Sequence, residues 1–220
     1  MMPDLTTILD ALQTVADPKK APQMKAYMRN QFEFLGVQSP AQGKVNSLYL
    51  PIHNSADELD WEFIDVCWAN PYRELQYLAL SYLRRNEHLL EVSHIKKIHK
   101  LITEKSWWDT VDSIVHLVGV LVRKHPELKR LMIVWSLVEN LWVRRTAIEH
   151  QLAMKNETDT ELMETILTNN FGSKEFFINK AIGWALRDYS KTNPPWVREF
   201  LENHRSQMAS LSIREGEKYV

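Results

Sequence analysis

Two adjacent tryptophans and two aspartates open an apolar helical run in Lys105-Ser106-Trp107-Trp108-Asp109-Thr110-Val111-Asp112. Trp108 and Asp112 are four residues apart and so share one face of a helix. An indole offers an electron-rich π-face and a carboxylate offers a full negative charge, so the pair suits a cationic ligand. A fixed carboxylate also stabilises positive charge that develops during bond cleavage. Ser106 and Asp109 have the spacing of a capping box, which predicts a helix starting at Trp107. On that reading Asp109 is a cap rather than an acid, and Trp107 is the indole that faces inward.

A second constellation follows Ser173. Lys180, Trp184, Arg187 and Lys191 fall at i, i+4, i+7 and i+11, one basic stripe with a tryptophan inside it. Such a stripe suits a phosphate backbone beside a stacked or cationic group. Between the two constellations, Arg144 and Arg145 follow Trp142. Taken alone, these features have plainer readings: tryptophans pack in cores, Asp112 is a solvated carboxylate, and the basic stripe is a solvated helix face.

The elements that position these residues are helical. Glycine is scarce, at 6 of 220 residues, and no strong hairpin signal stands out. Pro22, Pro40, Pro71 and Pro126 each read as a first helical residue, with Ser39 and Asn70 as N-caps. Further capping boxes read Ser39 to Gln42, Ser55 to Glu58 and Thr158 to Glu161. About a dozen helices joined by short turns result. Gln76, Asp112, Arg145 and Lys180 come into register when the helices are aligned, at a period near 35 residues. Two helices per unit at that period predict an all-α, HEAT-like α-α superhelix. The registered positions are polar in every copy and are expected to line one long binding face. Residues 1–220 read as one domain.

Composition bounds the rest. A net charge of −1 gives no global sign of nucleic-acid binding, so any basic surface is a local patch. The single cysteine, Cys67, excludes an intramolecular disulfide and fits a cytoplasmic location. No signal peptide and no apolar run of spanning length is present, so no membrane association is expected. The histidines lack an H-x-x-x-H or H-E-x-x-H pattern, and no metal or other cofactor is expected.

Four blocks carry a family resemblance. The runs Lys105-Ser-Trp-Trp-Asp-Thr-Val-Asp-Ser-Ile114 and Ser173-Lys-Glu-Phe-Phe-Ile-Asn-Lys-Ala-Ile-Gly-Trp-Ala-Leu-Arg187 look very like the AlkD family of DNA alkylation-repair glycosylases. Tyr27-Met-Arg-Asn-Gln-Phe-Glu-Phe-Leu-Gly36-Val-Gln-Ser-Pro40 and Leu141-Trp-Val-Arg-Arg-Thr-Ala-Ile148 match two further blocks, in order along nearly the whole chain. The resemblance implies a HEAT-like solenoid holding duplex DNA in its concave face. It implies hydrolysis of the N-glycosidic bond of cationic N3- or N7-alkylated purines, a step of base excision repair. Matched residue by residue, it puts the catalytic roles on Trp108, Asp112 and Trp184. The DNA-contacting arginine falls on Arg145, and Tyr27, Gln38 and Ser39 match positions near the DNA backbone. Lys180, Arg187 and Lys191 are expected to grip phosphates. After the Gln-x-Pro turn only Lys44 is basic, where the family usually carries a basic residue. Two rival readings remain at this point: a non-catalytic paralogue that binds unusual DNA structures, and a HEAT scaffold for another protein. No obligatory protein partner is evident.

Overall fold

The computed structural model describes residues 4–50 and 58–220. Among these it holds thirteen α-helices and no strand, with one isolated bridge between Glu33 and Tyr72. The chain divides into two compact units, Met1–Leu90 and Glu91–Val220. The expected Ser55–Glu58 cap begins outside the described residues.

The first unit contains α1 (Leu5–Thr14), α2 (Ala21–Tyr27), α3 (Ser39–Tyr49), α4 (Trp61–Ala69) and α5 (Arg73–Arg85). Its core includes Ile8, Leu12, Ile64, Leu75, Leu78 and Leu83, all fully buried. The loop before α3 is tied down by one carboxylate. Glu74, fully buried, accepts the backbone N–H groups of Leu35, Gly36 and Val37 at 3.0–3.1 Å. Gly36 sits at φ +95°, and a Cβ there would lie 2.2 Å from the Asp17 carbonyl oxygen, so only glycine fits. Cys67 is buried at the end of α4, and burial, with Asp60 adding to it, pushes its thiol up to about 12.

The second unit contains α6 (Ile95–Thr103), α7 (Trp108–Lys124), α8 (Lys129–Trp135), α9 (Leu141–Glu149), α10 (Thr160–Thr168), α11 (Phe176–Tyr189), α12 (Pro194–His204) and α13 (Ser210–Gly216). One layer is α7 on α9, α9 on α11 and α11 on α13, backed by α6, α8, α10 and α12. The registered residues Asp112, Arg145 and Lys180 belong to α7, α9 and α11, and Gln76 belongs to α5. The apolar faces make the core: Val111, Ile114, Val118 and Leu121 from α7, Ala147 from α9, Ile178, Ala181 and Leu186 from α11.

Several local starts differ from the sequence reading. The helix expected at Trp107 begins one residue later, with extended Trp107 in the N-cap place; the Ser106 hydroxyl instead donates back to the Ile102 carbonyl, closing the end of α6. Asp159 rather than Thr158 caps α10, accepting from Leu162. Gln38, not Ser39, occupies the N-cap place of α3, and no side chain caps that helix. Asn70 ends α4, and its side chain accepts the Tyr72 N–H in a turn, so α5 starts after Pro71 and Tyr72. Pro22 and Pro40 stand in the first turns of α2 and α3, and Pro126 opens a short 3-10 turn. At α10 and before α5 a neighbouring Asp or Asn takes the hydrogen bond, and before α7 the preceding helix end does.

Close approach of α11 and α13 depends on Gly183. A Cβ there would stand 2.5 Å from the Glu215 Cβ and 3.0 Å from the Ser212 carbonyl oxygen. Gly183→Ala should therefore destabilise the chain by about 1–3 kcal/mol through overpacking, read as a lower urea midpoint. His150, 2% exposed, supplies a pH dependence. Its Nδ1 lies 2.6 Å from the Ala147 carbonyl, an acceptor only, so that nitrogen carries the hydrogen. Its Nε2 is buried without a partner, and burial lowers the pKa from 6.5 to about 4. Between those values the unfolded chain binds a proton that the folded chain does not. Stability should thus fall as pH drops from about 6.5 to about 4, by at most about 3 kcal/mol from this group. Thermal melts from pH 7 to 4.5 should show a steeper decline for the wild type than for His150→Gln.

Candidate functional site

Side chains from α7, α9 and α11 converge around the Arg145 guanidinium. Arg145 lies mid-helix in α9, which Asn140 caps by accepting the N–H groups of Trp142 and Val143. Its Nε and one terminal nitrogen donate to the two oxygens of Asp112 at 2.8 and 3.0 Å, a bidentate pair. The other terminal nitrogen donates to the Phe177 carbonyl at 2.8 Å. Glu149, one turn along α9, places an oxygen 3.0 Å from the guanidinium. The Arg145 and Glu149 side chains are each 1% exposed, and that of Asp112 is 27% exposed. Asp112 is therefore the member of the group that reaches solvent. Burial raises its pKa, and the bonds from Arg145 oppose that rise.

Aromatic rings surround this charge cluster. Trp107 packs against Trp142 and Phe177 with centroids 5.5 and 5.3 Å apart, the inward position read from the sequence. Trp108 opens α7 and is half-buried, one turn before Asp112 on the same face. Trp184 on α11 is also half-buried. Its ring lies 5.3 Å from the Arg145 guanidinium carbon, 5.6 Å from Lys180 Nζ and 5.7 Å from the Arg187 guanidinium carbon. Asp112, Arg145 and Trp184 are thus brought together, with Arg145 as the link.

The basic stripe differs from a row of solvated cations. Lys180 and Arg187 pair with the two oxygens of Glu215 on α13 at 2.8 and 2.9 Å, and Lys218 joins them at 2.8 Å. The lysines hold the Glu215 carboxyl down to about 2. Three cations against one anion leave the cluster positive. Lys191 lies just beyond the end of α11, 57% exposed. The sequence reading places Arg145 on a DNA phosphate; in the structure its guanidinium is buried and its donors face Asp112, Glu149 and Phe177. It also missed Glu149, Glu215 and Lys218. Glu215 had a signal, since it stands 35 residues after Lys180 and so continues the register.

Tyr27, Gln38 and Ser39 belong to the first unit. Tyr27 is 71% exposed at the end of α2, and Gln38 and Ser39 are exposed at the N-terminus of α3. Among the described residues, no group of three His, Cys, Asp or Glu side chains is placed to hold a metal ion, and no helix is long and apolar enough to cross a membrane.

Removing the guanidinium would leave the sealed Glu149 and the part-exposed Asp112 without their cation. Arg145→Ala should cost about 3–5 kcal/mol of stability. Arg145→Lys should recover only part of that, because a single ammonium cannot reproduce the bidentate fork. Urea denaturation of the two variants against wild type would check both statements.

No curated protein matches the chain. A solved structure described as a predicted DNA alkylation repair enzyme from Enterococcus faecalis matches with a TM-score of 0.84 and 31% identity, over 93% of this chain and 96% of that one. The family model for the DNA alkylation repair enzyme matches residues 8–220. With nearly the whole chain matched by that model, and with the repeated helices and the clustered tryptophans in place, this protein belongs to the DNA alkylation repair enzyme family.

Proposed function

We propose that this chain is a monofunctional DNA glycosylase that hydrolyses the N-glycosidic bond of cationic N3- or N7-alkylated purines in duplex DNA. The observation that carries the reading is a carboxylate held bidentately by a buried arginine, part-exposed, with Trp108 one turn away on the same helix face and Trp184 against the same arginine. A protein that only gripped phosphates would need the Asp112–Arg145 pair for packing but not a carboxylate that reaches solvent, where it repels the DNA backbone.

An alkylated purine carries its positive charge before the bond breaks, so the neutral base is a good leaving group and needs no general acid. The C1′–N bond breaks with its electrons leaving on the base, and positive charge moves into the sugar. Asp112 stabilises that charge and orients the water whose oxygen adds to C1′ as its spare proton passes to solvent. Trp108 and Trp184 hold the cationic nucleotide through their π-faces, each contributing roughly 0.5–2 kcal/mol. Arg145 fixes Asp112 in place. The positive Lys180–Arg187–Lys218 cluster and Lys191 attract phosphates without reading sequence. Tyr27, with Gln38 and Ser39 at the amide-rich start of α3, are further backbone contacts.

The test is release of free alkylated base from methylated duplex DNA by wild type and by Asp112→Asn. The variant should lose about 10²–10³-fold in rate, the scale of a lost electrostatic stabiliser, while still binding DNA. DNA binding without release by the folded wild type would favour a non-catalytic binding module. Absence of DNA binding even at low salt would overturn both, since a phosphate-gripping surface binds most tightly there.

A further inference from the structure

The Arg145 cluster holds one more acid than its charges need. Asp112 and Glu149 face a single guanidinium, so two ionised carboxylates would leave a net negative charge in a seam where Arg145 and Glu149 are 1% exposed. A buried uncompensated ion costs several kcal/mol. The hydrogen-bond count gives the same answer. Three of the five Arg145 N–H groups are bonded, two to Asp112 and one to the Phe177 carbonyl, and none is aligned on Glu149. Both Glu149 oxygens are buried and neither has a donor aligned on it, although one lies 3.0 Å from an Arg145 terminal nitrogen. One oxygen of Glu149 and one of Asp112 each lie 3.0 Å from the same terminal nitrogen of Arg145, so the two carboxyls are neighbours. Two acceptors in contact become a hydrogen bond once one of them carries a proton.

We propose that Glu149 is a neutral, proton-bearing positioning residue that donates its carboxyl O–H to Asp112 from behind, leaving Asp112 the only anion of the centre. The proton rests on Glu149 because that carboxyl is sealed, whereas Asp112 reaches solvent and holds the bidentate pair. The charged groups acting on the two carboxyls are Arg145 from α9 and Asp109 from the first turn of α7. From α11 the contact is the Phe177 carbonyl, while Lys180 is turned to Glu215. His150 bonds the Ala147 carbonyl. Burial is also the largest influence on Glu149, and it favours the neutral form. Glu149 and Arg145 together fix both Asp112 oxygens, so the carboxylate meets the sugar in one orientation. The role in catalysis rests on the glycosylase reading; the retained proton does not.

Infrared difference spectra test the proton directly. At neutral pH the wild type should show the C=O band of a buried protonated carboxyl, shifted by isotope labelling of glutamate but not of aspartate, and absent from Glu149→Gln. No band, or a band shifted only by labelling of aspartate, overturns the proposal. So does failure of Glu149→Gln to fold when Asp112→Asn folds, because a neutral amide should fit where a neutral acid sits. Base release supplies the second arm. Glu149→Gln, which keeps a neutral donor, should release base about tenfold or more faster than Glu149→Ala, with DNA affinity similar in both. Equal release from the two would overturn the positioning role. If wild type releases no base, the glycosylase reading fails and the infrared result alone decides whether Glu149 keeps its proton.

Discussion

A single buried guanidinium holds the second unit together at its chemical centre. Arg145 crosses from α9 to Asp112 on α7 and to the Phe177 carbonyl at the start of α11, with Glu149 one turn below it. Burying an isolated guanidinium is costly, and only full use of its donors offsets that cost. The same bonds that satisfy Arg145 orient the one carboxylate that reaches solvent. Packing of three helices and presentation of an anion are thus one interaction rather than two. Trp184, resting against Arg145, inherits its position from it.

Beyond that centre, polar side chains repeatedly reach from one repeat to the next. Ser136 accepts the Asn169 side chain, Asp188 accepts the Ala153 N–H, and Ser212 donates to the Asn179 carbonyl. Lys180 meets Glu215 in the same way. These partners stand 33–35 residues apart, one repeat length. The apolar faces supply the bulk of the burial, and the stitches decide which turn of each helix meets which turn of the next.

Much of this was legible in the sequence. Helical periodicity, the 35-residue register and the shared face of Trp108 and Asp112 all follow from residue spacing. What the spacing could not tell is which way the registered positions face. Polar residues in every copy suggested an exposed binding row, yet Arg145 is 1% exposed and Gln76 is fully buried, its amide nitrogen donating to the Cys67 and Asn70 carbonyls at the end of α4. They are polar because they partner other residues in the seam. Glu149 was missed for a related reason: an acid four residues after an arginine usually marks a solvated pair. Only the fold shows that this pair is sealed and shares Asp112. The helix starts were shifted because Ser, Thr, Asp and Asn stand together at these turns, and sequence does not say which of them caps.

The spacing of the stitches also limits how such a chain can vary in length. One residue added inside α9 or α11 turns the remainder of that helix by about 100°. Arg145 would then no longer face Asp112, or Lys180 would no longer face Glu215. A residue added in a turn between helices is absorbed without rotating either neighbour. An added block of one whole repeat restores every partner at its proper distance. Viable length changes are therefore quantised: small ones are confined to the turns, and large ones come in steps of a complete helix pair.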